Sequence, residues 1–224
     1  MLAQIVLFDG FDPLDVVAPY EVLSAGGNAA GGALEVELVS AEGAREVPSG
    51  VGASSLRATA RLAPERGGLL VVPGAAGRLE GDGDDTVVAI LRRALGTELP
   101  GLLREAVDRS GFIVSTVCGG SLLLAMAGLI RGRRATTHHL GLDGLTAAGV
   151  TAIKARVVDD GDLVTGAGVT SGLDLGLYLL ERELGPRVAL AVEELFAHER
   201  RGTAWRDTGA AAVPFAADGA GAAA

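Results

Sequence analysis

The sequence predicts an α/β fold, a mostly parallel sheet covered by helices on both faces. Three observations predict it. Short apolar runs at 3–8 (AQIVLF), 68–72 (GLLVV) and 112–117 (FIVSTV) each precede a glycine- or proline-containing turn. These runs are continuous rather than alternating, which means strands buried on both faces. The composition is 49% hydrophobic but only 4% aromatic, so the core is built from Leu, Val, Ala and Ile, and 224 residues suffice for one sizeable domain.

The elements follow in order. Residues 3–8 read as the first buried strand and Asp9 to Pro13 as a turn. Residues 14–25 carry an apolar face of Leu14, Val17, Ala18, Val22 and Ala25, so a helix is expected, with Pro19 kinking or restarting it. The glycines of 26–32 read as a loop. They do not join a strand to a helix as a dinucleotide fingerprint requires. Residues 34–40 alternate and predict a strand; 47–55, with Gly50 and Gly52, predict a hairpin. After the strand at 68–72 come helices at 86–95 and 98–109, divided near Gly96 and Pro100. Residues 131–139 read as a connector or short strand, and 140–148 as a helix. Residues 155–159 and 163–165 flank Asp160-Gly161, a hairpin turn. A loop at 166–172 and helices at 173–184 and 186–201 complete a single domain over 1–201. The Ala- and Gly-rich extension, 202–224, is expected to be partly disordered.

Charge and composition exclude several classes. The net charge is −9 and Lys154 is the one lysine, which argues against a nucleic-acid footprint. The N-terminus lacks the basic n-region of a signal peptide, and no apolar run is long enough to cross a bilayer. One cysteine rules out an intrachain disulfide and fits a cytoplasmic location. No Cys/His cluster has metal-ligand spacing, so no metal is expected.

In parallel sheets, sites form beyond the carboxyl ends of strands. Three loops therefore matter, those after Phe8, Val72 and Val117. The last begins with Cys118-Gly119-Gly120 and leads into SLLLAMA, a strong helix former. A lone cysteine is often just a small buried hydrophobe. A strand–Cys-Gly-Gly–helix junction instead resembles a nucleophile elbow, where the helix N-terminus favours a thiolate and nearby amides favour an anion. Asp15 reads first as a dipole-stabilised residue of the first helical turn, and second as an acid or base facing Cys118. Glu21, on the same helix, reads as a surface charge or a buried partner. Gly74-Ala75 is either a plain turn or the source of a second oxyanion amide. His138 is a structural connector residue or an activator of the thiol. His198 is expected on a solvated helix face.

Four motifs together, LFDGFDPLDVVAPYEVL, VVPGAAG, STVCGGSLLLAMAGLIRGRRATTHH and VTGAGVTSGLDLGLYL, resemble the ThiJ/PfpI superfamily. The likeness runs from Ile5 to about Arg201. Within the superfamily it is strongest to the isonitrile hydratase branch and to amidase-like domains of some transcriptional regulators. The resemblance implies a flavodoxin-like α/β/α sandwich, usually a homodimer, with Cys118 as nucleophile and Asp15 as its acidic partner. It also implies an oxyanion side at Gly74 and Ala75, a nearby His138, and a pocket loop of Gly168, Val169 and Thr170. It implies a small-molecule substrate, no cofactor, and no membrane or nucleic-acid partner.

Two features depart from the pattern. Protease-like members carry His directly after the nucleophile, and isonitrile hydratases carry a hydroxyl residue, usually Thr; this chain has Gly119. The first departure argues against peptidase chemistry, and the second removes a hydroxyl from the hydratase site. The leading expectation is hydration of an isocyanide to an N-substituted formamide by Cys118 and Asp15. Glyoxalase-, deglycase- or amidase-like chemistry of the same thiol is the alternative. A redox sensor or ligand-binding regulatory domain is a third reading. The stretch after Arg201 is too short for a helix-turn-helix domain, which ranks a DNA-binding regulator low.

Overall fold

The computed structural model describes residues 1–212. Its strands are β1 (Leu2–Leu7), β2 (Glu35–Ser40), β3 (Arg45–Pro48), β4 (Ser55–Ala58), β5 (Ala60–Arg61), β6 (Leu69–Val72), β7 (Ile113–Val117), β8 (Arg134–Ala135), β9 (Thr151–Ala152), β10 (Val157–Asp159), β11 (Leu163–Gly166) and β12 (Trp205–Arg206). Its helices are α1 (Pro13–Ala29), α2 (Val87–Leu95), α3 (Leu99–Val107), α4 (Gly120–Met126), α5 (Leu142–Ala147), α6 (Ser171–Leu184) and α7 (Pro186–Phe196). The main sheet runs β12-β10-β11-β7-β6-β1-β2-β5. All of its pairings are parallel except the β10–β11 hairpin, which turns at Asp160-Gly161. The expected sheet is therefore present. The chain has the flavodoxin-like fold, with helices α1, α6 and α7 packed together on one face and α2, α3 and α4 on the other.

Register explains where a site can form. Ile5 lies opposite Val71, Val72 opposite Thr116, and Gly166 opposite Val117, so β1, β6, β7 and β11 end at one level. The strand interiors are fully buried, with Leu70, Val71, Val72 and Val117 all at 0% exposure. Each such aliphatic side chain contributes about 2 kcal/mol from burial. Loops at the carboxyl ends of these strands are thus anchored to the most rigid part of the molecule.

Helix α1 runs through Pro19 and on to Ala29, into the loop expected at 26–32, of which residues 30–32 form the turn. Of the glycines read as loop formers, Gly31 and Gly32 do form the turn, with positive φ, whereas Gly26 and Gly27 are contact residues of the helix. A Cβ on Gly26 would lie 2.2 Å from Leu180 Cδ2, and one on Gly27 would lie 2.1 Å from the Leu34 carbonyl oxygen. On α6, Gly172 accommodates Pro19 and Gly176 accommodates Val22. Small residues here permit the close approach of α1 and α6. Asp12 caps α1, its Oδ1 accepting the Leu14 amide at 3.0 Å, and Pro13 occupies the first turn, where no amide is needed.

The hairpin expected over 47–55 forms between β3 and β4, its turn centred where the sequence placed it. Helix α7 stops at Phe196, short of the expected Arg201, because Ala197 takes a left-handed conformation with φ +48°. At the carboxyl-terminal side, Trp205–Arg206 joins the sheet edge against β10. Residues 213–224 of the extension lie outside the described residues.

Candidate active site

Cys118 sits between β7 and α4 with φ +53°. Among the described residues only Ala197 shares such a conformation without being glycine. A left-handed backbone at a residue with a Cβ is strained and persists only where the surroundings enforce it. Here three contacts enforce it. The Cys118 amide donates to the Gly166 carbonyl at 3.1 Å, and the Thr137 hydroxyl donates to the Cys118 carbonyl at 2.6 Å. Gly120, the first residue of α4, lies so close under β6 that a Cβ would be 2.1 Å from the Val72 carbonyl oxygen. The elbow read from Cys-Gly-Gly is therefore built, and Gly120 is the glycine it needs. Gly119 is different: φ −67° and ψ −6° suit any residue, and a Cβ would approach nothing nearer than Gly74 Cα at 3.3 Å.

Asp15 lies at the start of α1 and is fully buried. Its Oδ2 accepts the Gly74 amide at 2.8 Å; its Oδ1 has no hydrogen-bond partner among the described residues. The carboxyl lies near enough to the Cys118 thiol for each to perturb the ionisation of the other. Burial, assisted by Asp12, pushes the Asp15 pKa well above the carboxylate range, against the opposing pull of the Gly74 amide and Cys118. The thiol is pushed up as well, first by burial and then by Asp15, with the Gly119 amide acting in the opposite sense. Burial and the neighbouring acid thus act against the thiolate that the start of α4, a helix of only two turns, favours. The two groups together hold their protons more tightly than either does in water.

The other expected residues separate into those that face the cleft and those that do not. An open cleft of about 530 Å³ is lined by Cys118, Gly119, Ala75, His138 and Val169, together with Asp12 and apolar side chains from α2, α4 and the 138–141 segment. Gly74, Gly168 and Thr170 are not in its wall. The Gly74 amide, expected to face an anion, is occupied by Asp15. Ala75 and Gly119 carry the backbone amides free to serve there, and the Gly119 amide already faces the thiol. Thr170 is exposed and accepts from Arg156 Nη2 at 3.0 Å; Arg156 also pairs with buried Asp174 at 2.7 Å, which ties the 168–170 segment to α6.

His138 is half-buried in the cleft wall. Its Nδ1 accepts the Leu140 amide at 3.3 Å, its ring lies 4.2 Å from that of His139, and it makes no hydrogen bond to Cys118. Burial, and then His139, lower its pKa, which favours the neutral ring. Glu21 is exposed, as a surface charge would be. His198 is not on a solvated helix face. It follows the end of α7 and folds back so that Nε2 lies 3.4 Å from Asp174 Oδ1. Thr137, which clamps the elbow carbonyl, gave no sequence signal because its role appears only once β7 and the 134–138 strand end are juxtaposed.

Among the described residues no helix is long and apolar enough to cross a membrane. The chain matches the family model of the DJ-1/PfpI family over residues 1–182. It is 46% identical over 80 residues to an isonitrile hydratase of Pseudomonas putida, a match covering 36% of this chain and 35% of that protein. It is 36% identical over 106 residues to the HTH-type transcriptional regulator CdhR of Pseudomonas aeruginosa, covering 46% and 31%. These matches span about a third of the length of those relatives. Among solved structures, a ThiJ/PfpI family protein from Pseudomonas syringae superposes with a TM-score of 0.73 at 27% identity, covering 90% of this chain and 76% of that one. Drosophila melanogaster DJ-1beta superposes at 0.72 with 18% identity, covering 88% and 97%, and supports the fold alone. On the matched model, the elbow and the sheet order, the chain belongs to the DJ-1/PfpI family.

Proposed function

We propose that the chain is a cysteine-dependent small-molecule hydratase that converts isocyanides to N-substituted formamides. The observation that carries this reading is the buried Asp15 carboxyl, its pKa raised by burial, set behind the Cys118 thiol that lines the cleft. A general acid must hold its proton near the working pH, and burial shifts this carboxyl in that direction. The partial likeness to isonitrile hydratase supports the same chemistry.

The steps balance as an addition and a hydrolysis. Cys118 Sγ bonds to the terminal carbon of R–NC, and the thiol proton reaches that carbon through Asp15, giving the thioimidate R–N=CH–S–Cys118. As water adds to the same carbon, Asp15 gives its proton to the imino nitrogen and takes one from the water, leaving R–NH–CH(OH)–S–Cys118. Collapse of the adduct breaks the C–S bond and returns a proton to sulfur, releasing R–NH–CHO. The amides of Ala75 and Gly119 stabilise charge developing at the reacting centre. Free thiolate is not required in the resting enzyme, which suits the raised thiol pKa.

Formamide production from cyclohexyl isocyanide, followed by chromatography, tests the proposal. Wild type is expected to turn over, Cys118→Ala to be inactive, and Asp15→Asn to lose at least about a hundredfold, the usual worth of a positioned acid–base group. Absence of wild-type turnover across several isocyanides sinks the assignment. A second reading, ligand binding in the same cleft without turnover, is favoured by the match to transcriptional regulators. Tight isocyanide or formamide binding with no product would support it. We also infer a homodimer, to be read from sedimentation.

A further inference from the structure

The cleft above Cys118 has walls of one chemical character. Leu79, Val88 and Leu140 border it while 68%, 46% and 61% exposed, and Leu122 and Val169 continue the apolar lining inward. Among the described residues, the only charged side chains in the wall are Asp12 and Glu80, and no Arg or Lys contributes. Burial beside His139 favours the neutral form of His138 there. An anionic substrate would meet two carboxylates and no counter-charge. An apolar one would cover leucine and valine surface that water now wets.

Gly119 adds a size term. It lies next to Cys118 in the cleft wall with an ordinary helical backbone, so nothing in its conformation demands glycine. Its missing side chain leaves a space bounded by Gly74 Cα and the Ala75 amide. Gly120 and Gly74, by contrast, are glycines because a Cβ would strike backbone. Gly119 is therefore the glycine of this loop at which the backbone opposes a side chain least, and a larger residue there would narrow the cleft.

We propose that the cleft selects uncharged substrates bearing a bulky apolar group, with Gly119 setting the size limit, Leu79 and Leu140 holding the group, and Glu80 disfavouring anions. The inference rests on Cys118 being the attacking group, but not on the isocyanide reaction.

Because Cys118 is the only cysteine, its alkylation reports the cleft directly. Rates with N-cyclohexylmaleimide against N-ethylmaleimide, and with iodoacetamide against iodoacetate, are compared with the same ratios for glutathione, and isocyanide turnover is measured in parallel. The protein is expected to exceed glutathione by about tenfold in its preference for the cyclohexyl reagent, and by about tenfold in its preference for the neutral acetamide. Gly119→Val is expected to abolish the size preference. Leu140→Ser, at an exposed position that tolerates change, is expected to reduce it, and Glu80→Gln to reduce the charge preference. Ratios in wild type equal to those of glutathione overturn the inference, even if isocyanides turn over. Ratios that hold while no isocyanide is consumed uphold it and remove the hydratase reading instead.

Discussion

The Gly74 amide donates a 2.8 Å hydrogen bond to Asp15 Oδ2, which fixes the carboxyl of the first helix against the loop after β6. Gly74 is required for this contact: a Cβ there would lie 2.5 Å from the Gly119 amide nitrogen and 2.9 Å from Asp15 Oδ2. One hydrogen bond thus aligns the acid, the β6 loop and the residue after the thiol. Gly74→Ala is expected to destabilise the protein by about 2 kcal/mol through overpacking and to reduce Cys118-dependent turnover. Denaturant unfolding and a rate assay on the same preparation check both effects.

The neighbouring glycines make a paired prediction. Gly120→Ala places a methyl 2.1 Å from the Val72 carbonyl oxygen, and a loss of about 3 kcal/mol is expected. Gly119→Ala meets its nearest neighbour at 3.3 Å and is expected to cost less than about 1 kcal/mol. Urea midpoints at equal slope separate the two. Equal losses would contradict the account of the elbow.

At Cys118 the usual preference for alanine over glycine should invert. With φ +53°, Cys118→Gly is expected to be more stable than Cys118→Ala by about 1 kcal/mol. Thermal or chemical unfolding of the two inactive variants gives this difference directly.

Asp15 makes stability depend on pH in a definite direction. Its folded-state pKa is raised from 3.8, so between that value and the folded value the native state binds more protons than the unfolded chain. Stability therefore falls as pH rises through this window, and the cost persists above it. Asp15→Asn can still accept the Gly74 amide and carries no charge. It is expected to match wild type below about pH 4 and to become increasingly more stable than wild type as pH rises. Removing the acid also relieves the thiol, so Cys118 alkylation at pH 8 should be faster in this variant.

The parallel sheet, the strand ends and the elbow were legible in the sequence because continuous apolar runs and a Cys-Gly-Gly turn have local causes. The length of α1 was not, because Gly26 and Gly27 serve packing against Leu180 and Leu34, which are distant in sequence. The ionisation of Cys118 is not legible in the sequence for a similar reason: its position before a helix is local, whereas its burial and the approach of Asp15 come from the assembled fold. His198 was misplaced because Ala197 ends α7 in a left-handed turn that its sequence does not announce.

The central claim is that Cys118 forms a covalent adduct whose breakdown needs Asp15. Intact-protein mass spectrometry after rapid mixing with cyclohexyl isocyanide and an acid quench tests it most directly. The account predicts a species heavier by one isocyanide at Cys118, transient in wild type, longer-lived or slower to form in Asp15→Asn, and absent in Cys118→Ala. Formamide produced by Cys118→Ala at the wild-type rate, with no adduct in any variant, would contradict it.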